Sequence, residues 1–153
     1  MRKSKGFTLI ELLIVMAVIA ILIAIAIPSF RGMQNEAKKT KAQGDVRVLK
    51  IAFESYYKNH NNMYPYATTT GDNSNWETPL LSAIPQILNS ALYDPFGSTA
   101  TTFYTLKTDN ANTSAAQYYV IYSVGVDTLG TASIASNGTL SATGDAIYDT
   151  NGH

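Results

Sequence analysis

The sequence has no cysteine among its 153 residues and few charged side chains. The absence of cysteine excludes a disulfide framework, so a small exported domain of this chain must be stabilised by packing or by a bound metal ion. Charged residues make up 14% of the sequence, and the formal net charge at pH 7 is zero. Because the basic residues are few and dispersed, the composition does not predict nucleic-acid binding.

Residue types that commonly carry catalysis are also scarce. The sequence contains two histidines, and only His60 lies far enough from the end of the chain to act as an interior base. His60 stands at a predicted helix end, and no nucleophile pattern lies near it. An enzyme is therefore the least supported class of function.

What the sequence does contain is one long hydrophobic run, from Phe7 to Ile27. As a helix with a rise of about 1.5 Å per residue, this run would be roughly 31 Å long, close to the ~30 Å hydrocarbon core of a bilayer. Three of the five residues at the start of the chain are basic. They predict a cytoplasmic N-terminus, with everything after Pro28 outside the inner membrane.

One carboxylate, Glu11, lies inside the hydrophobic run. A charged group in hydrocarbon is costly, and such residues usually face protein and a partner of opposite charge. A secretory signal peptide cleaved at Ala24-Ile25-Ala26 is one alternative, although its apolar region would be shorter and would not contain Glu11. A plain single-pass anchor is another alternative, in which Glu11 has no role.

The residues before and around Glu11 resemble a processing site. A short basic leader followed by Gly6-Phe7-Thr8-Leu9-Ile10-Glu11 is similar to the motif of type IV prepilins and the related pseudopilins. The resemblance implies that a membrane-bound prepilin peptidase cuts after Gly6 and methylates the new amino group of Phe7. It also implies that Glu11 pairs with this amine on a neighbouring subunit, which would favour assembly and set its register.

The resemblance continues at three short segments further along the chain. These segments are similar to parts of the major pseudopilins of type II secretion: Tyr57 to Pro65, Asp94-Pro95-Phe96-Gly97, and Tyr122 to Asp127. In that family the third segment opens a calcium-binding loop. The resemblance implies Asp127 as a calcium ligand, Ser123 as a ligand through its carbonyl oxygen, and Asp145 as a third if the intervening hairpin folds back. The alternative is that these aspartates only form turns.

The apolar spacing predicts one helix of about fifty residues, ending near Asn59 to Asn62. Its second half carries an amphipathic stripe with intervals of three and four residues: Val46, Leu49, Phe53 and Tyr56 or Tyr57. Pro28, between the two halves, predicts a kink or a locally loosened helix, and we assign this residue to the assembly region.

The remainder of the chain predicts an α+β head. Residues 65–79 are expected to form a surface loop and Leu80 to Leu92 a short helix. Predicted strands lie at 103–106, 117–124, 131–135, 139–142 and 146–148, and Ser136-Asn137-Gly138 is the predicted turn of a hairpin. The fold is therefore pilin-like: a long N-terminal helix packed on a small antiparallel sheet. We divide it into a leader (1–6), a transmembrane and assembly half of the helix (7–30), an amphipathic half called the stem (31–60), and the head (61–153).

Charge is unevenly distributed between stem and head. The stem contains seven Lys or Arg residues against three acidic residues, and the head contains one Lys against seven acidic residues. This distribution predicts an attraction between the stem of one subunit and the head of another in a filament. Ordinary solvated charge is the alternative.

Together these features predict a structural subunit of a helical pilus-like filament, most similar to a major pseudopilin of a type II secretion system. Expected partners are further copies of the chain, prepilin peptidase, an inner-membrane assembly platform, minor pilins or pseudopilins, and membrane lipid before assembly. No cofactor other than calcium is expected. The head should lie in the periplasm or, in a filament, at the cell surface. The major subunit of a type IV pilus is one alternative, and a membrane-anchored extracytoplasmic binding protein is an alternative of another class.

Overall fold

The computed structural model describes residues 6–65, 76–109 and 116–152. Its elements, in chain order, are two helices and five strands: α1 (Leu9–Asn59), α2 (Glu77–Ser82), β1 (Thr105–Thr108), β2 (Tyr119–Ser123), β3 (Thr131–Ile134), β4 (Leu140–Thr143) and β5 (Ile147–Thr150). The chain divides into two compact units, Met1–Ala37 and Lys38–His153, and α1 contributes to both. This order of elements confirms the predicted α+β, pilin-like fold.

The described part of the first unit is helical from Leu9 onward, and it is apolar as far as Ile27 apart from Glu11. Its large hydrophobic side chains, from Phe7 to Met33, are between 49% and 89% exposed. α1 is long and apolar enough to cross a membrane by length and composition. It continues through Pro28 without a break, so the loosening expected at this residue stays a prediction.

In the second unit, α1 buries one side against the rest of the chain. The buried residues recur at three- and four-residue intervals: Ala42, Val46, Leu49, Ala52 and Phe53. They include the predicted Val46, Leu49 and Phe53, while Tyr56 and Tyr57 are partly buried beside them. The ring of Phe53 lies 5.1 Å from that of Tyr119 and 5.4 Å from that of Trp76, measured between centroids. The amphipathic stripe is therefore confirmed as the core face of the helix.

Strand β2 is the centre of the second unit. It pairs antiparallel with β1 on one side and with β5 on the other, and all five of its residues are buried. Tyr119 and Ile121 belong to the cluster that includes α1, whereas Val120 and Tyr122 pack with residues of the β3–β4 hairpin. Because side chains alternate between the two faces of a strand, β2 separates a helix layer from a hairpin layer.

The strands follow the predictions closely, with shifted ends. β1 begins at Thr105 because Phe103 forms only an isolated bridge with Tyr93. The turn at Ser136-Asn137-Gly138 is confirmed: Gly138 has φ +82°, and Ala135 N donates to Thr139 O at 3.0 Å. Residues 66–75 of the predicted surface loop lie outside the described residues, as do residues 110–115, between two predicted strands, and residues 1–5 of the leader.

Two predictions around α2 are wrong. The surface loop predicted for 65–79 ends in a buried helix start, where Trp76 and Glu77 are each 1% exposed. The helix predicted for Leu80 to Leu92 ends at Ser82. Ala83 is already extended, and Pro85, two residues on, disfavours helical geometry in the residue before it.

Candidate functional site

The N-terminal end of α1 is closed by a reciprocal hydrogen-bonded pair, Thr8 and Glu11. Oε2 of Glu11 accepts from Thr8 N at 2.8 Å and from Thr8 Oγ1 at 2.7 Å, and Glu11 N donates to Thr8 Oγ1 at 3.3 Å. This is a capping box, in which a Thr and a Glu three residues later satisfy each other's backbone N–H groups. The Thr-x-x-Glu spacing predicts such a box from the sequence. The capping box was not among the features predicted for α1.

The capping box does not cover the predicted processing site. Gly6 and Phe7 precede the helix and are exposed, and a Cβ built on Gly6 would have no atom within 4 Å. Oε1 of Glu11 forms no hydrogen bond with the described residues, since both contacts from Thr8 go to Oε2. Glu11 can therefore cap its own helix through one oxygen and accept from an amine through the other.

In the head, a buried carboxylate joins two of the segments that resemble those of major pseudopilins. Asp94 is 5% exposed. Its Oδ1 accepts from Ser123 Oγ at 2.7 Å and from Phe96 N at 2.9 Å, and its Oδ2 accepts from Val124 N at 3.3 Å. The Asp94-Pro95-Phe96-Gly97 turn is thereby attached to the end of β2. A buried carboxylate is tolerated here because donors from both segments satisfy it.

The close packing of this turn requires glycine at position 97. Gly97 N donates to Asp94 O at 3.0 Å, and Asp94 N donates to Thr102 O at 2.8 Å. A Cβ added to Gly97 would lie 2.3 Å from Cβ of Thr102. No larger residue fits without moving the backbone, so the turn requires glycine for space.

The candidate calcium residues lie around the loop that joins β2 to β3. Gly125 has φ +76°, and a Cβ there would lie 2.1 Å from the carbonyl oxygen of Asp145. The chain after the β3–β4 hairpin thus packs directly on this loop. The hairpin therefore folds back, which is what a calcium ligand at Asp145 requires. Asp127 is exposed, and its Oδ1 accepts from Leu129 N at 3.0 Å.

These residues supply too few oxygen ligands to bind calcium by themselves. Ser123 is fully buried, and its hydroxyl donates to Asp94 and accepts from Gly125 N at 3.3 Å, so the hydroxyl is already used within the chain. Within the described ranges, no group of three or more His, Cys, Asp or Glu side chains is placed to hold a metal ion. Calcium takes six to eight oxygens. A site with Asp127 and Asp145 would need backbone carbonyls and water for the rest, and calcium binding stays a prediction.

Charged side chains of the stem bond to residues of the head in the same chain. Lys50 Nζ lies 2.9 Å from Oδ1 of Asp149 on β5. Tyr119 donates its hydroxyl hydrogen to Oε1 of Glu54 at 3.0 Å. Burial, together with the nearby carboxylate of Glu54, raises the pKa of Tyr119 well above its usual value. Part of the stem-to-head attraction expected between copies therefore acts between α1 and the sheet of one chain.

One buried acid was not predicted from the sequence. Oε1 of Glu77 accepts from Leu92 N at 3.2 Å, while Oε2 has no partner among the described residues. Burial raises the pKa of Glu77 to about 7, and the hydrogen bond from Leu92 only partly offsets this effect. The local sequence is polar and rich in turn residues, so nothing in it marks Glu77 as buried.

Comparisons with known proteins agree with the N-terminal motif. The family model of the prokaryotic N-terminal methylation motif matches residues 1–27. The chain is 33% identical over 102 residues to the type II secretion system core protein G of Escherichia coli, covering 63% of this chain and 69% of that protein. It is 39% identical over 69 residues to the type IV major pilin protein PilA of Myxococcus xanthus, covering 45% of this chain and 31% of that pilin. A fimbrial protein of Pseudomonas aeruginosa is 51% identical over 55 residues, or 36% of each chain. No solved structure matches the chain.

Proposed function

Because this chain belongs to the type IV pilin and pseudopilin superfamily, we propose that it is the major structural subunit of a secretion-type pseudopilus. It would be stored in the inner membrane with a cytoplasmic N-terminus and a periplasmic head, processed after Gly6 by prepilin peptidase, and then added to a helical filament. The filament is built through the apolar part of α1.

The observation that carries this proposal is the uncovered apolar surface of the first unit. The large side chains from Phe7 to Met33 are between 49% and 89% exposed. A helix that is apolar on all sides is stable only inside a membrane or inside a protein assembly. Lipid would cover it before assembly, and the α1 helices of neighbouring copies would cover it afterwards.

Processing would supply the charge that directs assembly. Cleavage after Gly6 removes the basic leader and creates an amine on Phe7, next to the capping box. Oε1 of Glu11 forms no hydrogen bond with the described residues of the single chain. An amine from a neighbouring copy can therefore bind Oε1 while Thr8 keeps Oε2 and the helix cap intact, and the buried carboxylate then has an opposite charge. This pairing would set the axial position of each new subunit.

Two observations favour a secretion pseudopilus over a type IV pilus. The alignment with core protein G extends over 102 residues, whereas α1 ends at residue 59, so that similarity must include part of the head. The alignments with the two pilins are shorter, 69 residues for PilA of Myxococcus xanthus and 55 residues for the fimbrial protein. The Asp94 link also joins two head segments that resemble those of major pseudopilins. An inner-membrane assembly platform and minor pseudopilins are the further partners that we propose.

Mass spectrometry of the mature chain tests the proposal. We expect the loss of residues 1–6 and one methyl group on Phe7. Gly6→Leu should block cleavage because a side chain at the cut hinders approach of the peptidase. Gly32→Leu is the matched control, since Gly32 also has open space around it, and it should leave processing unchanged. A mature chain that begins at Ile27 would indicate a signal peptide, and one that retains Met1 would indicate a plain anchor; either result overturns the proposal.

A further inference from the structure

The second unit carries an apolar groove beside α1. Val48, Ile51 and Ser55 line one side, and Ile87 lies on the segment after α2 that lines the other. Ile51 is 65% exposed, and Ile84, in the same segment as Ile87, is 94% exposed. The groove has a volume of about 250 Å³. Since an apolar cavity of ~150 Å³ holds a benzene ring, this α1 groove has room for one aliphatic side chain.

The loop between β2 and β3 presents such a side chain. Leu129 is 74% exposed at the end of this loop. Its backbone N–H is held by Oδ1 of Asp127 at 3.0 Å, and Gly130 N donates to Val124 O at 2.9 Å. These bonds hold the backbone of the loop. Leu129, called the knob, therefore projects from an ordered backbone, which lowers the entropy cost of docking it.

The charges beside the groove and the knob are opposite. Arg47 and Lys58 are four residues before and seven residues after Ile51, so they lie on its side of α1. Both are exposed, and neither forms an ion pair with the described residues. Beside the knob, Asp127 and Asp145 are exposed acidic residues. Complementary charges of this kind steer association and select the orientation of the partner.

We propose that the partner of the α1 groove is the Leu129 knob of a second copy, with Asp127 facing Arg47. The groove and the knob share no residue, so each copy can offer its knob to one neighbour and its groove to another. Contacts between two different surfaces of identical chains generate rings if the rotation closes and open helical filaments if it does not, so this contact is compatible with the proposed filament. The inference rests on the proposed function and identifies which surfaces of neighbouring second units meet.

Cysteine cross-linking tests this contact directly, because the chain has no cysteine of its own. Full-length Ile51→Cys and Leu129→Cys chains are co-expressed with the assembly machinery, and sheared filaments are mildly oxidised and run on a non-reducing gel. We expect a disulfide-linked dimer, since a disulfide requires Cα atoms within about 7 Å. Neither variant expressed alone should cross-link. Ser136→Cys, exposed on the β3–β4 turn, replaces Leu129→Cys in the control and should not link to position 51.

The outcomes separate this inference from the proposed function. If the unsubstituted chain forms no filament, the proposed function fails and the contact fails with it. If filaments form but positions 51 and 129 do not cross-link, the contact is wrong and the filament role stands. A dimer formed by Leu129→Cys alone would show a symmetric contact, and a link from position 51 to a different protein would show another occupant. Both results overturn the contact.

Charge reversal gives a second test that a folding defect cannot imitate. Asp127→Arg and Arg47→Asp should each lower the yield of the cross-link several-fold, and the chain carrying both changes should recover it. Asp127→Asn keeps the oxygen that accepts from Leu129 N and removes only the charge, so its loss should be smaller than that of Asp127→Arg. If the double variant stays as low as the single ones, Asp127 and Arg47 do not face each other and the proposed pairing is wrong.

Discussion

At the scale of single residues, we propose that Glu11 has two roles that use different oxygens. Within one chain its Oε2 caps α1 by accepting from the backbone and the hydroxyl of Thr8. In a filament its Oε1 would meet the amine of a processed neighbour. Capping by a carboxylate at the positive end of a helix is favourable in itself. The position of Glu11 near the start of the apolar run would therefore make its charge tolerable before assembly and available for the proposed pairing afterwards.

Substitutions at the capping box should separate the two roles. Glu11→Gln keeps an oxygen for the cap and removes the charge, so we expect membrane insertion to persist and filament yield to fall at least tenfold. Thr8→Ala removes the side chain that Glu11 bonds and keeps the carboxylate, so filaments should still form. The measurement compares sheared filaments with the membrane-bound pool for each variant. Normal filament yield from Glu11→Gln would refute the charge pairing.

Glu77 predicts a dependence of stability on pH. Its pKa is raised from the usual 4.5 to about 7 by burial. The folded chain therefore keeps this proton at pH values where the unfolded chain has lost it. This contribution to stability is full below pH ~4.5, falls as the pH rises, and is lost above pH ~7, at a total cost of about 3 kcal/mol.

Thermal unfolding of the full chain in detergent can measure this effect. Glu77→Gln keeps an oxygen for Leu92 N and cannot ionise, so its Tm should exceed that of the unsubstituted chain at pH 8 and approach it at pH 4.5. The matched control is Ser136→Ala, which changes an exposed side chain that cannot ionise and should leave the pH profile unchanged. A Tm difference for Glu77→Gln that is the same at both pH values would mean that Glu77 does not titrate in this range.

At the scale of elements, periodic patterns predicted α1 and the strands well, and they failed where burial is not periodic. The α1 stripe and the hairpin turn at Gly138 follow from local spacing and turn chemistry. Trp76 and Glu77 lie in a polar stretch, and the sequence gives no sign that Trp76 packs on Phe53. Tertiary packing overrides local preference at such positions.

The β2–β3 loop is the element on which calcium binding depends. If Asp127 and Asp145 hold calcium, chelation should lower the Tm of the full chain, because a ligand bound only to the folded state stabilises it. Asp127→Asn should abolish the response to chelation. Asp109→Asn changes a carboxylate that bonds Gln117 N and Tyr118 N, and it should keep the response. An unchanged Tm for the unsubstituted chain after chelation would mean that these aspartates serve only in turns.

At the scale of the whole molecule, the opposite charges of the stem and the head can pair in two ways, within one chain and between copies. The pair of Lys50 and Asp149 joins the stem to the head within one chain. Arg47 and Asp127 are exposed, and we propose that they meet between copies. Partly exposed ion pairs contribute little to folding stability, so we expect this charge distribution to act mainly on the order and orientation of assembly.

The sequence by itself determined the features that depend on near neighbours along the chain: the processing motif at Gly6 and Phe7, the long apolar helix and the alternation of the strands. Their physical causes, side-chain hydrophobicity and backbone hydrogen bonding, act over a few residues. Only the tertiary structure decided that Asp94 bonds Ser123 and that Asp145 packs on Gly125. These contacts join residues twenty or more positions apart, and they form because the helix, the sheet and the hairpin bury a common core that no local pattern describes.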